Sequence, residues 1–126
     1  MDLEKIVEEL SYEKKLSIVR FALEVAAADG EIDEEELTAI VAICSLKLGV
    51  DDLEDKIGTI VESNYKSTLA TFSMDEATLL GFILGVIAAA DGVVSSVEVR
   101  HIRSLLEQAG LNNLFIDALI ATFENQ

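Results

Sequence analysis

Carboxylates at a spacing suited to a divalent cation stand in two stretches of the chain. Val25 to Leu37 reads Val-Ala-Ala-Ala-Asp-Gly-Glu-Ile-Asp-Glu-Glu-Glu-Leu, and Ile87 to Val99 reads Ile-Ala-Ala-Ala-Asp-Gly-Val-Val-Ser-Ser-Val-Glu-Val. Calcium and magnesium take oxygen ligands. Asp29, Glu31 and Asp33 of the first stretch, with Asp91 of the second, are therefore the candidate metal ligands, and a divalent cation is the one cofactor these residues admit. The pattern Asp-Gly-x-Ile-Asp-x-x-Glu also matches the second half of an EF-hand loop. Its first half fails, because loop positions one and three fall on Val25 and Ala27, or on Ile87 and Ala89. Apolar side chains cannot ligate a cation, so a standard EF-hand is excluded in both copies. The competing reading of Asp29 and Asp91 is structural. Each carboxylate would accept backbone N–H bonds and lock its corner, although a helix C-terminus disfavours negative charge.

Other chemistry has little footing. His101 is the only histidine and lies beside Arg100 and Arg103, so it reads as a surface helix position. A transition-metal site needs more nitrogen or sulfur than this. The lone Cys44 sits in the apolar run Ala39-Ile-Val-Ala-Ile-Cys, where a thiol behaves as a small hydrophobe. It excludes an internal disulfide and fits a reducing compartment. No Gly-rich phosphate loop is present, and no serine, cysteine or lysine has a recognisable catalytic base nearby in sequence. The chain reads as a non-enzyme.

The elements that must carry the two stretches are helical. Ala26–Ala28 and Ala88–Ala90 are strong helix formers, and Gly30 and Gly92 read as the left-handed C′ residues that end those helices. Asp33 with Glu36, and Ser95 with Glu98, have capping-box spacing and open the next helices. Ser73 with Glu76 is a third such box. An opening helix carries Leu3, Ile6, Val7 and Leu10 at helical spacing. A second begins at Ser11 or Tyr12 with Leu16, Val19, Ala22, Leu23 and Ala26 inward. The third runs from about Glu34 to Leu48, with Leu37, Ile40, Val41, Cys44 and Leu48 inward, and Gly49 stops it. Asp51 or Asp52 caps a fourth helix carrying Leu53, Ile57, Ile60 and Val61. Ser63 to Phe72 connects the halves, with room for a short helical turn. The apolar run Ala77–Ala90 reads as a buried central helix in which Gly81 and Gly85 admit a close neighbour. A sixth helix runs from Ser96 to about Ala109, and a seventh carries Leu114, Phe115, Ala118, Leu119 and Phe123. Nothing reads as a strand. The expectation is an all-α chain of about seven helices, one domain over 1–126 built from two repeats, approximately 12–62 and 73–124.

Composition limits partners and place. The 126 residues carry a net charge of −15, and seventeen of the 24 acidic residues come before Ser63. Nucleic acids and anionic membranes require cationic patches, so neither is an expected partner. An acidic face attracts cations or a basic protein; the alternative is a solvated, soluble surface. The start, Met1-Asp2-Leu3-Glu4, lacks the basic flank of a signal peptide. The longest apolar run falls short of the roughly twenty residues of a membrane span. A cytoplasmic chain without membrane insertion is expected.

The tandem Ala-Asp-Gly-x-[Ile/Val]-x-x-x-Glu units resemble the TerB-like domain of tellurite-resistance proteins, which also occurs in some DnaJ-like co-chaperones. The resemblance covers roughly Tyr12 to Glu124. Its motif positions fall on Asp29, Gly30, Ile32 and Glu36, and on Asp91, Gly92, Val94 and Glu98. It implies a duplicated seven-helix fold and a bacterial stress-associated module that binds metal ions or scaffolds partners, often near membranes. The second unit departs from the first: Val93, Ser96 and Val97 replace Glu31, Glu34 and Glu35. A symmetric two-ion site is therefore not expected.

Overall fold

Among the described residues five side-chain caps open helices; at the last of them Asn112 Oδ1 accepts the Phe115 N–H at 2.8 Å. The Ser11, Ser73 and Ser95 hydroxyls and the Asp33 carboxylate each accept the backbone N–H three residues on, at 3.2, 3.1, 3.1 and 2.7 Å respectively. At Ser73 and Ser95 the box is complete, because Glu76 and Glu98 reach back to the cap N–H at 2.8 and 3.2 Å. The computed structural model describes residues 3–28, 30, 33–49, 66–90, 92 and 94–124. The helix expected from Asp51 or Asp52 lies outside the described residues.

Along the chain these caps give α1 (Leu3–Glu9), α2 (Tyr12–Ala26) and α3 (Glu34–Ala42), which continues as a π-helical turn over Ile43–Lys47. Next come a one-turn helix α4 (Lys66–Leu69), then α5 (Met74–Ala88), α6 (Ser96–Gln108) and α7 (Asn113–Glu124). Among the described residues there is no strand, and the fold is all-α. The third helix was expected to be α-helical as far as Leu48. Instead its last turn widens, and the Leu48 N–H bonds to the Ile43 carbonyl five residues back at 3.0 Å.

The two Asp-Gly corners use the same hydrogen bonds. Ala27 N–H reaches the Leu23 carbonyl and Ala89 N–H that of Gly85, both at 3.0 Å. Gly30 then bonds back to Ala27, and Gly92 to Ala89, again at 3.0 Å. This corrects the placement of the glycines as C′ residues. The helices end at Ala26 and Ala88, because Ala27 and Ala89 have already left the helical region (φ −91° in both). Gly30 (φ 105°) and Gly92 (φ 86°) instead close a separate turn that a side chain would strain.

The core lies around α2 and α5, which pack on each other and are buried on most of their circumference. Ile18, Phe21, Leu80, Leu84 and Ile102 are wholly buried. Two expected inward positions on α3 are not inward: Leu37 and Val41 are exposed, while Ile40, Cys44 and Leu48 are buried. Ile40 and Cys44, four apart, face the core, whereas Leu37 and Val41 share the solvent face. In α7 the buried stripe is Ile116, Leu119, Ile120 and Phe123, and Leu114, Phe115 and Ala118 face solvent.

Gly81 and Gly85 do admit a close neighbour, and it is α7. A Cβ at Gly81 would stand 2.9 Å from the tip of Leu119, while one at Gly85 would enter the Phe123 ring. Overpacking costs about 1–3 kcal/mol, against roughly 1 kcal/mol gained in helix propensity from Gly to Ala. Gly85→Ala is therefore expected to destabilise by about 2 kcal/mol, whereas Gly81→Ala, meeting the flexible ends of Leu119 and, at 3.4 Å, Leu106, should come out near neutral. Urea midpoints of the two variants check this, and equal midpoints would contradict it.

Candidate functional site: a buried carboxyl pair and an apolar groove

Of the predicted motif residues, Asp29, Glu31, Ile32 and Asp91 lie outside the described residues. Asp33 is half-buried at the start of α3, its carboxylate engaged as the N-cap. Among the described residues no group of three or more His, Cys, Asp or Glu is placed to hold a metal ion.

Two carboxyls read as capping and motif positions turn out to be core groups. Glu36 on α3 and Glu98 on α6 are 2 % and 3 % exposed, and with both ionised Oε2 of each is buried without a hydrogen-bond partner. Glu36 lies within hydrogen-bonding reach of both Glu98 and Asp33. Burial first, then the Glu98 carboxyl, then the Asp33 carboxylate push the Glu36 acid up to about 9. A protonated Glu36 resolves the orphan oxygens, since its O–H can donate to a neighbouring carboxylate. The signal was present in the spacing. Glu36 stands four residues before buried Ile40, and Glu98 four before buried Ile102, so both share the inward stripe of their helices.

The other reactive types are accounted for. Cys44 is buried, and desolvation raises its thiol to about 11, which leaves it without thiolate at neutral pH. His101 is a partly exposed helix position with a partner across the fold. Its Nε2 is 3.2 Å from Glu24 on α2, which also meets Arg20 at 3.4 Å.

The second feature is an open groove of about 670 Å³ between α1, α5 and the π turn. Leu3 and Val7 form one wall, and Phe82, Ile83 and Val86 form the other, with Ile43 of the π turn completing the lining. Phe82 and Val86 are 38 % and 57 % exposed. Among the described residues, the polar side chains that line it are Glu4 and Glu8 of α1. A small-molecule pocket of this size ordinarily carries several converging polar groups. Here the lining is apolar with acids on one side.

The class so defined is a small, acidic, all-helical module whose helices turn at paired Asp-Gly corners. Residues 3–55 match the family model described as Tellurite resistance protein TerB. The first Asp-Gly corner falls within that stretch, and the second lies beyond it. Neither the curated proteins nor the solved structures hold a match to the chain. Among the described residues no helix is long and apolar enough to cross a membrane.

Proposed function

We propose that this TerB-like chain is a non-enzymatic module of a stress or tellurite-resistance system that acts by binding another protein. In this reading, it is one domain of two repeats, 12–62 and 73–124. The observation that carries the reading is the groove. An open apolar channel with exposed Phe82 and Val86 on its wall is surface that a folded domain gains by covering. The test uses a tellurite-sensitive strain lacking the chain. Wild-type protein should restore growth on tellurite, and Val86→Glu, which alters an exposed position, should remain folded and fail to do so. Equal protection by both proteins would remove the groove from the function.

Divalent-cation binding is the second reading, supported by the orphaned oxygens of Glu36 and Glu98. Two carboxyls fall short of the six to eight oxygen ligands of calcium. In this reading Asp29, Glu31, Asp33 or Asp91 supply the remainder. Chelator-stripped protein titrated with calcium, magnesium and manganese should then show saturable shifts at Gly30 and Gly92, lost in Asp29→Asn. Weak shifts spread over all acidic helices would indicate screening alone.

A further inference from the structure

We infer that the α1–α5 groove receives one face of a cationic amphipathic helix from a partner protein. The inference rests on the protein-binding reading above and names the chemistry of the partner.

The wall contributed by α5 is a helical stripe. Leu79, Phe82, Ile83 and Val86 follow i, i+3, i+4, i+7 and span about 10 Å, or two helical turns. The facing wall, Leu3 and Val7, is a second stripe one turn long. A channel between two such stripes accepts the apolar anchors of a third helix, spaced in the same way. The π turn carries Ile43 into the lining, and widened turns of this kind are frequent at functional sites.

Charge selects among the occupants. Glu4 and Glu8 are exposed, lie four residues apart and stand on the groove side of α1. A bound helix would therefore meet two carboxylates beside its apolar face, inside the field of a chain with net charge −15. Lysine or arginine flanking the anchors answers this charge and accelerates the encounter. A second copy of this chain does not. An isologous dimer through the groove would gather Glu4 and Glu8 of both copies, four carboxylates, into one interface between two chains of net charge −15. An anionic lipid surface is repelled for the same reason.

The experiment uses the full chain and two synthetic peptides of about fifteen residues, long enough to hold a helix once docked. Both carry leucine at i, i+3, i+4 and i+7. One has lysine at the remaining positions and the other glutamate. Fluorescence anisotropy gives the affinities, and methyl NMR of the protein gives the location. The lysine peptide is expected to saturate, with shifts centred on Val7, Ile83 and Val86. The glutamate peptide should bind at least about tenfold more weakly, a difference of about 1.4 kcal/mol. Glu4→Lys with Glu8→Lys should weaken the lysine peptide and strengthen the glutamate peptide, and Val86→Glu should weaken both.

Equal binding of the two peptides, both lost in Val86→Glu, would overturn the charge inference and leave the protein-binding reading intact. Equal protection of cells by wild type and Val86→Glu would overturn that reading itself. Shifts outside the groove overturn the assignment of the surface. Groove signals that move with protein concentration alone would assign it to a second copy. Contacts from Ile57 or Ile60 to Val86 in the free protein would assign it to the chain's own segment.

Discussion

In chelator at low salt, the protein is expected to lose stability as the pH rises from about 5 to 9, by roughly 1.4 kcal/mol per unit. The cause is Glu36. Its acid is raised from 4.5 to about 9 in the folded chain, first by burial and then by Glu98 and Asp33. Below pH 4.5 both the folded and unfolded chains hold this proton, so pH has no leverage through it. Between 4.5 and about 9 the folded chain holds a proton that the unfolded chain has released, and each added unit favours unfolding. Above that range the cost is complete. Glu36→Gln should remove most of the slope, because the amide is a neutral isostere that can still donate to Glu98. At pH 8 the variant should be more stable than wild type by on the order of 4 kcal/mol, and at or below pH 4.5 the two should agree. Glu98→Gln keeps an acceptor for the Ser95 cap, removes the charge facing Glu36 and should move the slope to lower pH. Urea unfolding at pH 5, 7 and 8.5 reads all three proteins. A wild-type stability that is flat over this range would refute the shared proton.

The same measurement separates proton from cation. A divalent ion drawn to these carboxyls would compete with the proton. Calcium or magnesium at pH 8 would then restore stability to wild type and leave Glu36→Gln unchanged. Identical responses of the two proteins would remove Glu36 from any cation site.

Helix boundaries were legible in the sequence where one residue type has a local job. Asp33, Ser73 and Ser95 cap as their spacing indicates, because the cap bond joins residues three apart and needs no tertiary partner. The glycine pair Gly81 and Gly85 was legible for a related reason, since a missing side chain on an apolar helix announces a close neighbour. What helical periodicity could not settle was which of two apolar stripes wins. In α3, Ile40 and Cys44 take the core and Leu37 and Val41 take solvent, although all four are hydrophobic. That choice depends on where α2 and α5 stand. The burial of Glu36 and Glu98 escaped for the opposite reason: capping explained both residues so completely that their position on the inward stripe carried no weight. The groove depends on α1 lying beside α5, a pairing of elements more than sixty residues apart that no local pattern encodes.

Lys14→Met is expected to destabilise the fold by about 2 kcal/mol at pH 7, since a charged hydrogen-bonded partner is lost from a half-buried carboxylate. Lys14 Nζ reaches both Glu76 oxygens, at 2.8 and 3.1 Å, and the Thr71 carbonyl at 3.3 Å. It also lies 5.7 Å from the centroid of the Phe72 ring. Glu76 is at the same time the acceptor that completes the α5 capping box. The bond therefore ties the first turn of α2 to the first turn of α5, the two helices at the centre of the core. Burial alone would raise the Glu76 acid, but Lys14 and the Ser73 N–H outweigh it and hold it below 4.5. Methionine keeps an apolar stem of similar length, so the loss reads the charge rather than the packing. Glu76→Gln retains a carbonyl for the cap, and in a double-mutant cycle the pair should couple by about 1–2 kcal/mol. The pH dependence gives an independent check. A lowered acid stabilises the fold above pH 4.5, and that stability is lost as pH falls through its folded value. Wild type should lose this increment on acidification, whereas Lys14→Met should have little left to lose. Additive single mutants, or equal acid sensitivity in both proteins, would show that the Lys14–Glu76 contact is present without holding the two helices together.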